Sequence, residues 1–270
     1  MTSTDDLDRN LARAGQLVRA AAARGASFVA LPENVAFIGE DEQKLATSEK
    51  LELGPVAATA GKVARWGSEL ARETQSWLLV GGVAEVSPDA NKAYNTAVLF
   101  DARGNIVAAY RKIHLFDVKL ADGTERNESR IFAPGATPVV IDTPIGRVGL
   151  SICFDVRFPE LYRKLVSDGA TVLTVPATFT VTTGRDHWHV LLRARAIESQ
   201  AYVIAPAQWG ENAPGRASYG HALICDPWGT ILAECADGEG LAIAPIDLER
   251  VAALRHQLPA LACRRLSSVI

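Results

Sequence analysis

The run Val148-Gly-Leu-Ser-Ile-Cys-Phe-Asp-Val-Arg-Phe-Pro-Glu160 decides the architecture. Val148 to Ile152 is a short apolar stretch that reads as a buried strand. Pro159 suits the first turn of a helix, where its fixed φ and missing N–H are tolerated. Cys153 therefore occupies a strand-to-helix turn. Amides that follow such a turn point outward and can donate to an anion, so the amide of Phe154 is a candidate oxyanion donor.

Working outward, Val139 to Ile141 is a strand that precedes this one across Thr-Pro-Ile-Gly. Thr171 to Pro176 and Tyr202 to Ala207 are further strands, separated by a helix over Asp186 to Gln200. Towards the N-terminus, Leu7, Leu11, Ala14, Leu17, Val18 and Ala21 fall at three-and-four spacing after Asp5 and Asp6, which predicts a helix ending near Gly25. Ser27 to Leu31 then reads as a strand that delivers Glu33 at its carboxyl end, where α/β folds place ligand sites. A second helix from about Pro55 to Gln75 and a strand over Trp77 to Ala84 follow. Tyr94 to Asp101 and Ile106 to Tyr110 flank a hairpin turn, and Lys112 comes directly after.

The stretch from Ile113 to Thr137, which contains Glu128, has little periodicity and reads as a long functional or mobile loop. The remainder is a meander: Tyr219 to Cys225, a turn at Asp226-Pro-Trp-Gly229, Ile231 to Glu234, and Leu241 to Ile246. Helices interleave with strands first and hairpins dominate later, which predicts a layered α/β sandwich. One domain over residues 1–270 is expected.

The 270 residues carry a net charge of -3, which leaves no electrostatic footprint for nucleic acid. Acids occupy the place of a signal peptide's basic region, and no apolar run approaches the roughly 18 residues of a membrane span. A cytoplasmic protein is expected. Cys153, Cys225, Cys235 and Cys263 lie far apart, without the spacing of a zinc site or a disulfide framework. His187 and His189 are two apart and share no helical face, so packing or capping is their expected role. His221 is expected within a strand, satisfied by a neighbour.

Each candidate has a bland reading when taken alone. Cys153 is as readily a buried structural thiol, Lys112 a solvated charge, and Glu33 a helix cap or exposed turn. Together they carry a resemblance. Leu31-Pro-Glu-Asn34, Tyr110-Arg-Lys-Ile-His-Leu-Phe-Asp117 and Gly149 to Glu160 resemble the three signature segments of the nitrilase superfamily of carbon-nitrogen hydrolases. Asp186 to Glu198, Ala217 to Ala222 and Asp226 to Gly229 look like its Nit branch, most similar to the deaminated-glutathione amidases.

The resemblance implies a four-layer αββα sandwich, no metal or organic cofactor, and homodimers or larger homo-oligomers. It matches Cys153 to the nucleophile, Glu33 to the general base, Lys112 to the oxyanion lysine and Glu128 to a second glutamate that orients the lysine and the substrate. Burial is expected to make Glu33 more basic. Arg157 is placed to pair with a substrate carboxylate or with a local acid such as Glu160, and Thr178, Phe179 and Thr180 are candidates to line the pocket. The expected substrate is a small carboxylated amide. An ω-amidase for 2-oxo acid amides, another hydrolase of the superfamily, a catalytically unused partner-binding scaffold and a cysteine-histidine dyad are the rivals. The family's usual first strand has no counterpart before Met1-Thr-Ser-Thr4, so a missing sheet strand is expected.

Overall fold

Asp6 accepts a hydrogen bond from the Arg9 amide at 3.0 Å and so caps the first helix. The computed structural model describes residues 1–119, 123 and 125–266. Its first half runs α1 (Leu7–Ala22), β1 (Phe28–Ala30), α2 (Asp41–Ala46), β2 (Gly54–Pro55), α3 (Lys62–Thr74), β3 (Trp77–Val86), β4 (Ala93–Phe100) and β5 (Asn105–Arg111). These strands form one sheet in the order β1-β3-β4-β5-β2. Leu11, Ala14, Val18, Leu70 and Ala71 form the buried stripes of α1 and α3, and they close on Leu78, Val80, Val98 and Phe100 of that sheet's outer face.

After a small hairpin, β6 (Asp117–Lys119) and β7 (Glu125–Asn127), the second half runs β8 (Val139–Thr143), β9 (Gly146–Leu150), α4 (Pro159–Ser167), β10 (Val172–Thr174) and α5 (Val181–Ser199). It continues with β11 (Tyr202–Ala205), β12 (Trp209–Ala213), β13 (Arg216–Tyr219), β14 (Leu223–Cys225), β15 (Ile231–Glu234) and α6 (Leu248–Gln257). The second sheet has the order β15-β14-β11-β10-β9-β8, with β9, β10 and β11 mutually parallel. Leu79, Ala97, Leu99 and Tyr110 of the first sheet share a core with Leu150, Leu173 and Val203 of the second, and with Leu161, Leu165, Trp188 and Leu192 from α4 and α5. The layers are helix, sheet, sheet, helix, as the sandwich reading expected.

Several elements differ from the sequence reading. The long loop contains the β6–β7 hairpin and a short 3-10 turn, Glu128–Arg130; residues 120–122 and 124 of it lie outside the described region. The expected strand over Tyr219 to Cys225 breaks at Gly220 and His221, both in left-handed backbone (φ 84° and 56°), so His221 lies between strands. The predicted helix from Pro55 begins only at Lys62, and α2 and α6 were not foreseen.

Among the described residues no strand precedes α1, and β1 is an edge strand. Leu241 to Ile246, expected as a strand, pairs with no other segment. A cleft of about 550 Å³ has both stretches in its walls, together with Ile204, Leu223 and Ile224. An apolar run alone does not make a strand; the backbone also needs a partner within hydrogen-bond reach. No described helix is long and apolar enough to cross a membrane.

Candidate active site

Cys153 opens a 3-10 turn, Cys153–Arg157, directly after the β9 extension, with φ at 47°. A non-glycine residue in left-handed backbone is held there by its surroundings. The Cys153 N–H donates to the Pro176 carbonyl at 2.8 Å, so it is committed to structure, and the Phe154 amide is the next along the turn. Asp155, fully buried, fixes the turn from beneath. Its carboxylate accepts from the Ile152 amide (2.8 Å), the Tyr110 hydroxyl (2.8 Å) and the His114 amide (3.1 Å), with the His114 ring 2.8 Å away. Tyr110 and His114 flank Lys112, so one carboxylate ties the nucleophile's turn to the segment that carries the lysine.

Glu33, Lys112, Glu128 and Cys153 converge on one cavity of about 610 Å³. Lys112 Nζ donates to Glu33 Oε1 at 3.0 Å and to Glu128 Oε2 at 2.8 Å, and its side chain is 2% exposed. The Cys153 thiol is hydrogen-bonded to Glu33. The second oxygen of Glu33 accepts from the Thr178 amide at 2.9 Å, and Glu128 Oε2 also accepts from the Phe116 amide at 2.7 Å. Both carboxylates are bridged by Asn95, whose Nδ2 reaches Glu33 at 3.0 Å and Glu128 at 2.9 Å.

Gly82 makes room for this arrangement. It sits at the register shift between β3 and β4 with φ 69°, and a Cβ there would lie 2.8 Å from Glu33 Cγ and 2.9 Å from Asn95 Oδ1. The bulge is required because the general-base candidate crosses the strand at that point.

The electrostatics correct one expectation. Burial by itself would raise the Glu33 carboxyl, but the Lys112 ammonium and its hydrogen bond, with Lys44 and the Cys153 thiol, outweigh it and hold Glu33 down at about 2. Burial likewise opposes the charged form of Lys112, yet Glu128 and Glu33 beside it lift it well above the ordinary lysine value. Burial and the Glu33 charge push the Cys153 thiol well up, against the opposing pull of Lys112 and the Thr178 backbone. The resting state is thus a neutral thiol beside a carboxylate and an ammonium. Proton transfer to Glu33 becomes favourable only as negative charge moves onto a substrate oxygen within reach of Lys112.

The cavity is also lined by Thr178, Thr180 and Phe116, and by four cations that the sequence did not single out, Lys44, Arg126, Arg130 and Arg216. Phe154 and Arg157 do not line it. The Phe154 ring packs edge-on to Phe116 and Phe158, while Phe179 is buried against Trp188. The Arg157 guanidinium sits over Phe154 and Phe179, 3.2 Å from His187 Nδ1, and pairs with no acid, Glu160 included. Asn95 was missed because Tyr94-Asn95-Thr96 reads only as strand. Lys44 was missed because its six-residue helix shows no apolar stripe.

Away from this cavity, His189 Nε2 and His221 Nδ1 each lie 2.8 Å from Glu234 Oε1, and these three are the one described group with metal-ligand spacing. The sequence reading, which found no ligands beyond the histidines, could not bring Glu234 to them across α5, the β13–β14 break and β15.

A sandwich with a cysteine, two glutamates and a lysine at one cavity defines a class, and comparison agrees. The family model for carbon-nitrogen hydrolases matches residues 1–256, and this chain belongs to that family. It is a hydrolase of carbon-nitrogen bonds. Among particular relatives, it is 47% identical over 264 residues to a deaminated glutathione amidase from Synechocystis sp., covering 97% of this chain and 94% of that one. It is 44% identical to the deaminated glutathione amidase of Homo sapiens, covering 98% and 80% of the two chains. The crystal structure of Nit3 from Saccharomyces cerevisiae, a member of branch 10 of the nitrilase superfamily, superposes with a TM-score of 0.86 at 31% identity, covering 98% and 93%.

Proposed function

We propose that this chain hydrolyses the terminal amide of a small carboxylated molecule, of the deaminated-glutathione type, through a thioester on Cys153. The observation that carries the reading is the lysine shared by two carboxylates, one of which also holds the thiol, all on one cavity. The names of the relatives at 44% and 47% identity supply the substrate type.

In the first half-reaction the Cys153 sulfur bonds to the amide carbon while its proton passes to Glu33. The carbonyl oxygen becomes an oxyanion, stabilised by the Lys112 ammonium; such a donor contributes roughly 3 kcal/mol. The C–N bond then breaks, Glu33 returns the proton to nitrogen, and ammonia leaves a thioester. Water next adds to the thioester carbon as Glu33 takes its proton. The C–S bond breaks, the sulfur is reprotonated, and the acid departs. Glu128 accepts no proton in this scheme; it keeps Lys112 charged and aimed. Thr180 lines the acyl pocket.

No step draws on a metal or organic cofactor. The reading carries with it one catalytic domain, a cytoplasmic setting and assembly into homodimers or larger homo-oligomers. A second reading, an ω-amidase for 2-oxo acid amides, uses the same chemistry on a shorter acyl chain. An ammonia-release assay over a panel of amides, with deaminated glutathione and a 2-oxo acid amide included, tests both. Turnover abolished in Cys153→Ala is the expected result; nitrile turnover without amide turnover would overturn it.

A further inference from the structure

The catalytic cavity holds cations that its chemistry does not use. Lys112 is matched by Glu33 and Glu128, which leaves that trio at a net charge of -1. Lys44 and Arg216 line the same cavity and add two positive charges. Lys44, 8% exposed, donates to the neutral Asn34 side chain, sits 5.2 Å from the Phe132 ring and makes no ion pair among the described residues. Arg216 opens β13 in the hairpin over the cavity and pairs with no described side chain, whereas Arg111, Arg130, Arg195 and Arg250 each hold a carboxylate. Arg126, also lining the cavity, bonds among the described residues only to the Glu125 carbonyl beside it.

Burying a cation without a counter-ion is unfavourable, and two in one cavity repel. Such an arrangement persists where a ligand supplies the missing charge. Of the cavity's cations, Arg130 pairs with Asp41 and Lys112 with Glu33 and Glu128, whereas Lys44 and Arg216 hold no carboxylate among the described residues, and a ligand carboxylate would supply one. The planar guanidinium suits a bidentate carboxylate, and the lysine supplies a compact second charge.

We propose that Lys44 and Arg216 form the subsite for the carboxylate that the substrate carries in addition to its scissile amide. This rests on the amidase reading above and moves the anchoring role from Arg157, which lies outside the cavity lining, to these two. Arg216 and Lys44 are then determinants of specificity: they select acids over neutral amides without touching the reacting carbon.

Calorimetry on the Cys153→Ala protein tests this without turnover, using a monoamide of a short dicarboxylic acid and the neutral primary amide of the same length. The expected result is tighter binding of the acid, weakened about thirtyfold or more by adding Arg216→Gln, as for loss of one partner of a buried charge pair. Binding of the neutral amide should stay unchanged. Arg216→Lys should restore part of the affinity, which separates charge loss from misfolding. On the active enzyme, Arg216→Gln should raise KM for the acid and leave kcat within about threefold, since ground-state and transition-state binding are lost together. Equal binding of acid and neutral amide, or loss of discrimination in Arg157→Gln but not in Arg216→Gln, would overturn the proposal. An amide panel with no turnover, alongside selective binding of the acid, would sink the amidase reading and leave the subsite standing.

Discussion

Two cavities of similar size, about 610 and 550 Å³, sit in this fold with opposite contents. The first is walled by ionised groups, of which Glu33, Glu128 and Lys112 satisfy one another while Lys44 and Arg216 hold no carboxylate among the described residues. The second is an apolar cleft whose walls include two extended segments, Phe28 to Ala30 and Leu241 to Ile246, with backbone edges that pair with nothing across it. The contrast separates two uses of a gap. Charges brought together and satisfied make a reactive centre, whereas unpaired backbone beside apolar side chains makes a weak place in a sheet.

The largest effects are expected where a charge in the first cavity is removed. Cys153→Ala should abolish ammonia release. Lys112→Ala should lower kcat by about 100- to 1000-fold through loss of an oxyanion donor. It should also destabilise the fold, because Glu33 and Glu128 are left as buried carboxylates without their cation, a loss of roughly 3–5 kcal/mol in comparable buried pairs. Steady-state kinetics with thermal melting checks both. A Lys112→Ala protein of full activity would break the contrast at its strongest point.

The second cavity predicts a difference in hydrogen exchange. Amides of Leu79, Val80 and Val98 lie in the β3–β4 ladder, whereas those of Ala242 to Ile246, excluding Pro245, donate to no described partner. Exchange of the latter should be faster by about 100-fold or more, as for segments that open without global unfolding. Comparable protection of the two sets would mean that the cleft is closed in solution.

Of the two cavities, acid should act on the first. The Glu33 carboxyl is held at about 2 in the folded protein against 4.5 ordinarily. A depressed carboxylate contributes its stability in full above its ordinary value, and the contribution is lost as pH falls from there through about 2. Melting temperature should therefore fall below pH 4.5 in the wild type, and the fall should be smaller in Glu33→Gln. A wild-type melting temperature flat between pH 4.5 and 2.5 would contradict this.

What the sequence made legible follows from where each residue sits. Glu33, Lys112 and Cys153 each come directly after a strand, and strand ends can be read from apolar runs that stop. Asn95 and Gly82 lie within strands, and their significance depends on which strand faces which and on a register shift that no local pattern encodes. Lys44 is on a helix too short to show a stripe, and Arg216 belongs to a hairpin whose place over the cavity is fixed by the second sheet. The failed strand at Leu241 to Ile246 teaches the same lesson from the other side: its apolar run was legible, but the partner it needs was not a local property.

The smallest expected effect opposes function to stability. Burial, followed by the charge of Arg216, lowers Lys44 to about 8 from 10.5, with Glu33 and Glu128 pulling the other way and Lys112 adding to the lowering. For a lysine whose folded value is depressed, the cost of holding the charge is complete below about 8 and is relieved as pH rises from there to 10.5. Lys44→Met should therefore stabilise the protein at pH 7 by about 2 kcal/mol, read as a rise of a few degrees in Tm, and the gain should shrink towards pH 10. The same change should weaken binding of the carboxylated amide, because the subsite keeps only Arg216. In the wild type, selectivity for acid over neutral amide should decline above pH 8 as Lys44 loses its proton. A Lys44→Met protein no more stable than wild type at pH 7 would mean that an internal group already balances this charge. The first cavity would then be satisfied without its substrate, and the distinction between its polar walls and a binding site would lie in Arg216 alone.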